Sequence, residues 1–301
     1  MKKILLALLL ALCLTQSAWA GFSEGMAAYK RGDYADALKE FEPLAEQGDA
    51  LAQFYLGFMY AQGQGVPQNR KQAVKWYSKA AEQGNALGQT NLGKVYYLGL
   101  GVEQDYDKAF YWYRKAAEQG VAAAQLGLGR MYNKGQGIPQ DYKQAAYWYR
   151  KAAEYGWLAI AQSNLGAMYS TGQGVPQDYE QAAFWYRKAA EQGLASGQFR
   201  LGMMYYHGCG VPRDYKQAVY WYRKAAEQAY AMAQWALGLM YSDGHGVSQN
   251  YIKAHMWMNL AAAGGIEDAA ESCKLLAAKM TPQQIAEAQR LAREWKPPAK
   301  P

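Results

Sequence analysis

The chain has 301 residues, is 51% hydrophobic and 19% charged, and carries a formal charge of +7. Three cysteines are too few for a disulfide framework, and so mild a cationic excess is a poor basis for nucleic-acid binding. Beyond the first twenty residues no apolar run approaches membrane-spanning length.

Met1–Ala20 opens with Lys2 and Lys3, continues with an apolar Ile4–Leu14, and ends on the small-x-small set Ala18-Trp19-Ala20. This is the pattern of a bacterial secretory signal peptide cleaved after Ala20, which places the mature protein in the periplasm or outside the cell. Cys13 lies inside the apolar core without a small residue before it, so a lipoprotein is not expected. Losing Lys2 and Lys3 leaves a mature charge of about +5. Residues 21–48 form a divergent first helix pair, in which Gly25, Tyr29, Gly32, Tyr34, Ala37 and Phe41 resemble a tetratricopeptide repeat. This pair is predicted to cap the N-terminal end.

A tandem array follows over 49–264. The pairs Leu56-Gly57, Leu92-Gly93, Leu128-Gly129, Leu165-Gly166, Leu201-Gly202 and Leu237-Gly238 are spaced by 36, 36, 37, 36 and 36 residues. A fixed period in this range signals a solenoid. The single 37 comes from one extra residue within Tyr155–Gln162. Each unit has a first half A-x-Q-x-x-L-G-x-M-Y and a second half A-x-x-W-Y-R-K-A-A-E-Q-G. In both, apolar anchors return every three or four residues, the spacing of one helix face. The joints are equally legible. Gly135 and Gly137 end a first helix where left-handed backbone is needed, Pro139 blocks its continuation, and Asp141 caps the next helix. Asn69, Asp105, Asp178, Asp214 and Asn250 hold the same capping place; Gly48, Gly84, Gly120, Gly156 and Gly193 close second helices.

With their G-x-G-V-P-Q-D-Y joints, these units resemble the Sel-1-like repeat family, a relative of the tetratricopeptide repeats. The resemblance implies an all-α fold, a right-handed superhelical solenoid of antiparallel helix pairs, used as an adaptor for other proteins. Residues 265–295 are predicted to be C-terminal capping helices. Thr281 caps the last, with Pro282 in its first turn and Gln284 three after the Thr. Ile285, Ala288, Leu291, Ala292 and Trp295 share its inner face. The Pro/Lys tail 296–301 reads as disordered.

No H-E-x-x-H, G-x-S-x-G or C-x-x-C motif occurs, so no catalytic residue is assigned, no enzyme activity is expected and no cofactor is implied. His207, Cys209, Asp243 and His245 fall in neighbouring joints, but their spacing lacks a compact ligand motif and no metal site is assigned. The ladder Trp76, Trp112, Trp148, Trp185, Trp221 and Trp257 recurs in lockstep and is assigned to packing. Arg114, Arg150, Arg187 and Arg223 precede Glu118, Glu154, Glu191 and Glu227 by four residues, the spacing of a solvated ion-paired face.

A partner is expected where copies differ while the frame stays fixed. Residues two before and two or five after the Leu of each Leu-Gly lie about 160°, 200° and 140° around the first helix from it. The partner-binding set on that face is Phe54, Phe58, Lys94, Tyr97, Arg130, Phe199, Met203, Tyr206, Trp235 and Leu239. By resemblance it lines the concave side. Aromatic pockets would anchor a peptide or flexible protein segment, while Lys94 and Arg130 attract acidic groups. The bland reading, packing of Phe54, Phe199 and Trp235 between repeats, weighs equally. The expected function is a non-catalytic scaffold in the cell envelope. The alternative is an envelope enzyme or a β-lactam- or peptidoglycan-binding protein; exported relatives linked to β-lactam binding are cysteine-rich, and their paired cysteines are missing here. A virulence or host-contact factor would share the scaffold mechanism. The mild positive charge leaves contact with anionic envelope polymers open.

Overall fold

A computed structural model describes residues 20–154 and 158–298. The predicted signal peptide up to Trp19, Gly156 and the last three tail residues lie outside them. Among the described residues the secondary structure is entirely helical. The chain divides into two compact units, Met1–Trp148 and Tyr149–Pro301, with the division falling inside a helix.

Unit 1 holds α1 (residues 20–31), α2 (Tyr34–Glu46), α3 (Ala50–Gln62), α4 (Arg70–Glu82), α5 (Ala86–Leu98), α6 (Tyr106–Glu118) and α7 (Ala122–Lys134). The division lies in α8 (Tyr142–Glu154). Unit 2 continues with α9 (Ala159–Thr171), α10 (Tyr179–Glu191), α11 (Ala195–His207), α12 (Tyr215–Ala226), α13 (Ala231–Asp243), α14 (Tyr251–Ala263), α15 (Glu267–Ala277) and α16 (Pro282–Glu294). Within each unit consecutive helices pack as antiparallel pairs, as α3 with α4 and α13 with α14.

The repeat motif explains its own packing. The Leu of every Leu-Gly is at most 1% exposed, and burying each stabilises its repeat by about 1.5–3 kcal/mol. The glycine after it lets the partner helix approach. A Cβ on Gly57, Gly93 or Gly166 would lie 2.8–2.9 Å from the ring of Tyr77, Tyr113 or Tyr186. The tyrosine of these W-Y pairs thus packs against the Leu-Gly turn of its own repeat. The tryptophan faces the other way: Trp112 and Trp221 pack on the core of the preceding repeat. Asn69, Asp105, Asp178, Asp214 and Asn250 accept from backbone N–H groups at their helix starts, as does Asp141. Gly137 adopts φ +71°, and its Cβ would fall 2.6 Å from the carbonyl oxygen of Tyr106. The second joint glycine therefore serves the seam between repeats as well as the turn.

A side-chain ladder also ties repeat to repeat. Gln53, Gln89, Gln125, Gln162, Gln198 and Gln234 are buried. Each donates to a carbonyl near the end of the preceding second helix, as Gln89 Nε2 does to Ala81 O at 3.1 Å. Four of them also accept from a glutamine thirty residues on: Gln83 to Gln53, Gln119 to Gln89, Gln192 to Gln162 and Gln228 to Gln198, at 2.7–2.8 Å. Thirty residues after Gln125 the sequence has Tyr155, and Gln125 Oε1 is buried without a hydrogen bond among the described residues.

The expected outer-face ion pairs form only in part. Arg114 Nε meets Glu118 at 2.8 Å. Arg187 and Arg223 instead donate to the hydroxyls of Tyr205 and Tyr241, both at 2.9 Å, and Arg150 donates to Tyr169. The arginine fork reaches across to the following first helix because a tyrosine hydroxyl waits there. At the C-terminal end Thr281 and Gln284 form a reciprocal capping box, Ala288 is buried, and Trp295 packs edge-on against Trp257 at 5.8 Å.

Candidate binding pockets on the first helices

Two cavities occupy the same place in the repeat, one in each unit. In unit 1 a pocket of about 220 Å³ opens between α5 and α7, lined by Thr90, Lys94, Tyr97, Leu98, Tyr113, Ala123, Leu126, Gly127 and Arg130. In unit 2 a pocket of about 240 Å³ opens between α11 and α13, and Phe199, Met203, Tyr206, Trp235 and Leu239 line it. Both volumes are below the roughly 300 Å³ at which small-molecule and cofactor sites begin; they suit single side chains.

Of the ten residues predicted to bind, eight line these two cavities. Phe54 and Phe58 do not. Phe54 is buried between Tyr55 at 5.1 Å and Tyr77 at 6.1 Å, and Phe58 packs beside it on the same core. There the wide face folds inward because large rings fill the space. Phe199 has both roles, buried against Tyr222 at 5.7 Å yet part of the pocket wall.

In each pocket one residue that directly precedes the Leu of a Leu-Gly pair lines the wall and was not in the predicted set. It is Gly127 in one pocket and Ala236 in the other. A Cβ on Gly127 would already lie 2.9 Å from the ring of Tyr113. In the first repeat the same place holds Tyr55, whose ring stacks on Phe41 at 5.4 Å and fills the joint. At Gly127 and Ala236 the small residue leaves room for the two pockets. Aligning the copies shows this signal directly, as Tyr55, Asn91, Gly127, Asn164, Arg200 and Ala236.

The surroundings of the two pockets are matched in frame and opposite in charge. In unit 1 the Tyr97 hydroxyl donates to Gln136 Oε1 at 2.8 Å, and its ring meets Tyr106 edge-on at 5.5 Å. In unit 2 Tyr206 meets Tyr215 at 5.4 Å. His245, in place of the glutamine, stacks on Tyr215 at 4.7 Å. Burial pushes the Tyr113 and Tyr222 hydroxyls well above the usual tyrosine range, so both floors stay neutral. Unit 1 contributes Lys94 and Arg130 to its pocket and no carboxylate; unit 2 contributes Asp243 and no Lys or Arg. His207, Asp243 and His245 do line one pocket, but Cys209 packs on the core between α10 and α11. Among the described residues no group of three His, Cys, Asp or Glu is placed to hold a metal ion. Cys209 and Cys273 are both free thiols.

Six consecutive segments, 50–85, 86–121, 122–156, 159–194, 195–230 and 231–266, match the Sel1 repeat profile. The chain belongs to the Sel1 repeat family. Sel1 repeats generally mediate protein–protein interaction. A protective antigen of uropathogenic Escherichia coli, c5321, with an SLR fold, is 36% identical over 96% of this chain, with a TM-score of 0.81. The chain spans 64% of that protein's length. A Sel1 repeat protein from Oxalobacter formigenes is 36% identical over 80% of this chain and 96% of its own, with a TM-score of 0.74. No curated protein matched the chain.

Proposed function

We propose that this Sel1 repeat protein is a non-catalytic adaptor of the bacterial cell envelope that holds an extended peptide or flexible protein segment on its first helices. The observation carrying this reading is the pair of register-equivalent pockets. The frame around them is the same in both units, whereas the side chains reaching into them differ, as expected of recognition rather than packing. Their size matches side-chain anchors. The polar groups nearest to chemistry are committed elsewhere: the Thr90 hydroxyl donates to Ala86 O at 2.7 Å, and His245 stacks on Tyr215.

The envelope location rests on the sequence of Met1–Ala20. Among the described residues no helix is long and apolar enough to cross a membrane. Peptide display against the full mature chain tests the binding reading. Selected peptides should lose about tenfold in affinity on either Ala236→Leu, which fills the unit 2 pocket, or Lys94→Glu/Arg130→Glu. A library that yields no binder, or binders indifferent to both variants, sinks it. Fractionation with N-terminal sequencing tests the location; the expected first residue is Gly21.

A further inference from the structure

We propose that unit 1 carries a docking site for an acidic peptide segment, in which carboxylate and apolar side chains take turns at every second residue, the ones that face the protein. The inference rests on the peptide-binding reading above and assigns the ligand its chemistry. A second cavity of about 240 Å³ adjoins the unit 1 pocket and is lined by residues including Gln62, Arg70, Asn91 and Lys94. Lys94 therefore lines both cavities. Between them the two cavities present Arg70, Lys94 and Arg130 and not one carboxylate. None of these three cations is ion-paired among the described residues.

Lys108 and Arg114, elsewhere in unit 1, have acidic partners at 2.8 Å, Asp105 and Glu118. Arg70, Lys94 and Arg130 line the cavities, where an incoming carboxylate meets them. A purely ionic ligand leaves the rest of the site unused. The α5–α7 pocket has an apolar floor of Tyr97, Leu98, Tyr113 and Leu126, and an apolar side chain next to the carboxylate would cover it. In an extended peptide successive side chains point to opposite sides, so every second residue faces the protein. A segment mixing acidic and apolar residues at that spacing satisfies both the cations and the floor. Unit 2's pocket, with Asp243 as its charge, would repel the same segment.

Fluorescence anisotropy on the full mature chain tests this, with a short labelled peptide of mixed glutamates and leucines and its glutamine counterpart as probes. The glutamate peptide should bind about tenfold more tightly than the glutamine one. The preference should weaken as salt is raised, because screening shortens to about 3 Å at 1 M. Lys94→Glu/Arg130→Glu should abolish the preference with an unchanged circular-dichroism melting curve, whereas charge reversal at an exposed lysine outside the cavities, Lys143→Glu, should retain it. Equal binding of both peptides overturns the carboxylate assignment and leaves the adaptor reading intact. Competition by inorganic polyphosphate as strong as by unlabelled glutamate peptide overturns it in favour of a general anion site. If neither peptide binds while display-selected peptides still do, this proposal alone falls; if display also yields nothing, the reading beneath it falls as well.

Discussion

The α5–α7 pocket of unit 1 and the α11–α13 pocket of unit 2 sit at one position of the same repeat, yet one is edged by Lys94 and Arg130 and the other by Asp243, His207 and His245. Beneath them, Leu92 and Leu201 have the same burial, and Tyr113 and Tyr222 form matching floors. The comparison separates two kinds of residue within a repeat. Positions facing the partner helix are held to one size, because a packed interior tolerates neither a void nor an extra methylene. Positions facing away from it are free to differ, and they give each pocket its chemistry.

The deepest way to break this comparison is at the shared frame. Leu92→Ala and Leu237→Ala should each cost about 2–5 kcal/mol in chemical denaturation, because both leave a cavity at an enclosed site. Their costs should match, and a large disparity would show that the two units do not share one frame. Next comes the glutamine ladder. Gln89 makes both its carbonyl and its inter-repeat contacts, at 3.1 and 2.7 Å. Gln125 makes the first at 3.2 Å and leaves Oε1 buried and unpartnered. Gln89→Met should therefore destabilise more than Gln125→Met, by about 1 kcal/mol, since it loses an inter-repeat hydrogen bond, whereas Gln125→Met also removes a buried oxygen that has no partner among the described residues. Equal costs would remove the ladder as a source of stability.

Smaller effects distinguish the C-terminal end of unit 2. Burial holds the His255 imidazole below its usual pKa of 6.5, with Asn259 Nδ2 at 2.8 Å from its Nδ1. The unfolded chain then binds the proton more readily than the folded one. Stability from this group is intact above about pH 6.5 and is lost as pH falls through the folded value. Melting temperature should drop on acidification below pH 6.5, and the drop should shrink in His255→Gln. Burial also pushes the Cys273 thiol up to about 11, while Cys209 is only half-buried. A thiol reagent at neutral pH should label Cys209 and spare Cys273 until the chain unfolds, because the thiolate is the reactive form.

Much of the architecture was readable in the residues themselves. The 36-residue period, the helix caps and the joint glycines report on contacts between neighbours in sequence. Such contacts depend on backbone geometry that local residue types control. Eight of the ten predicted binding residues also reached the pockets, since their angle on the first helix follows from 100° per residue. Phe54 did not, because the same angle gives an exposed side chain or a filled joint according to what sits across the seam. Arg187 and Arg223 chose tyrosine hydroxyls over the glutamates four residues away for the same reason.

The sequence by itself determined a repeating helix pair, its ends, and the face on which copies vary. Only the tertiary structure decided where that face opens: beside Gly127 and Ala236, where the missing side chain leaves room under a neighbouring repeat. Periodicity reads one helix at a time, whereas a cavity is the volume left after two repeats have packed against each other.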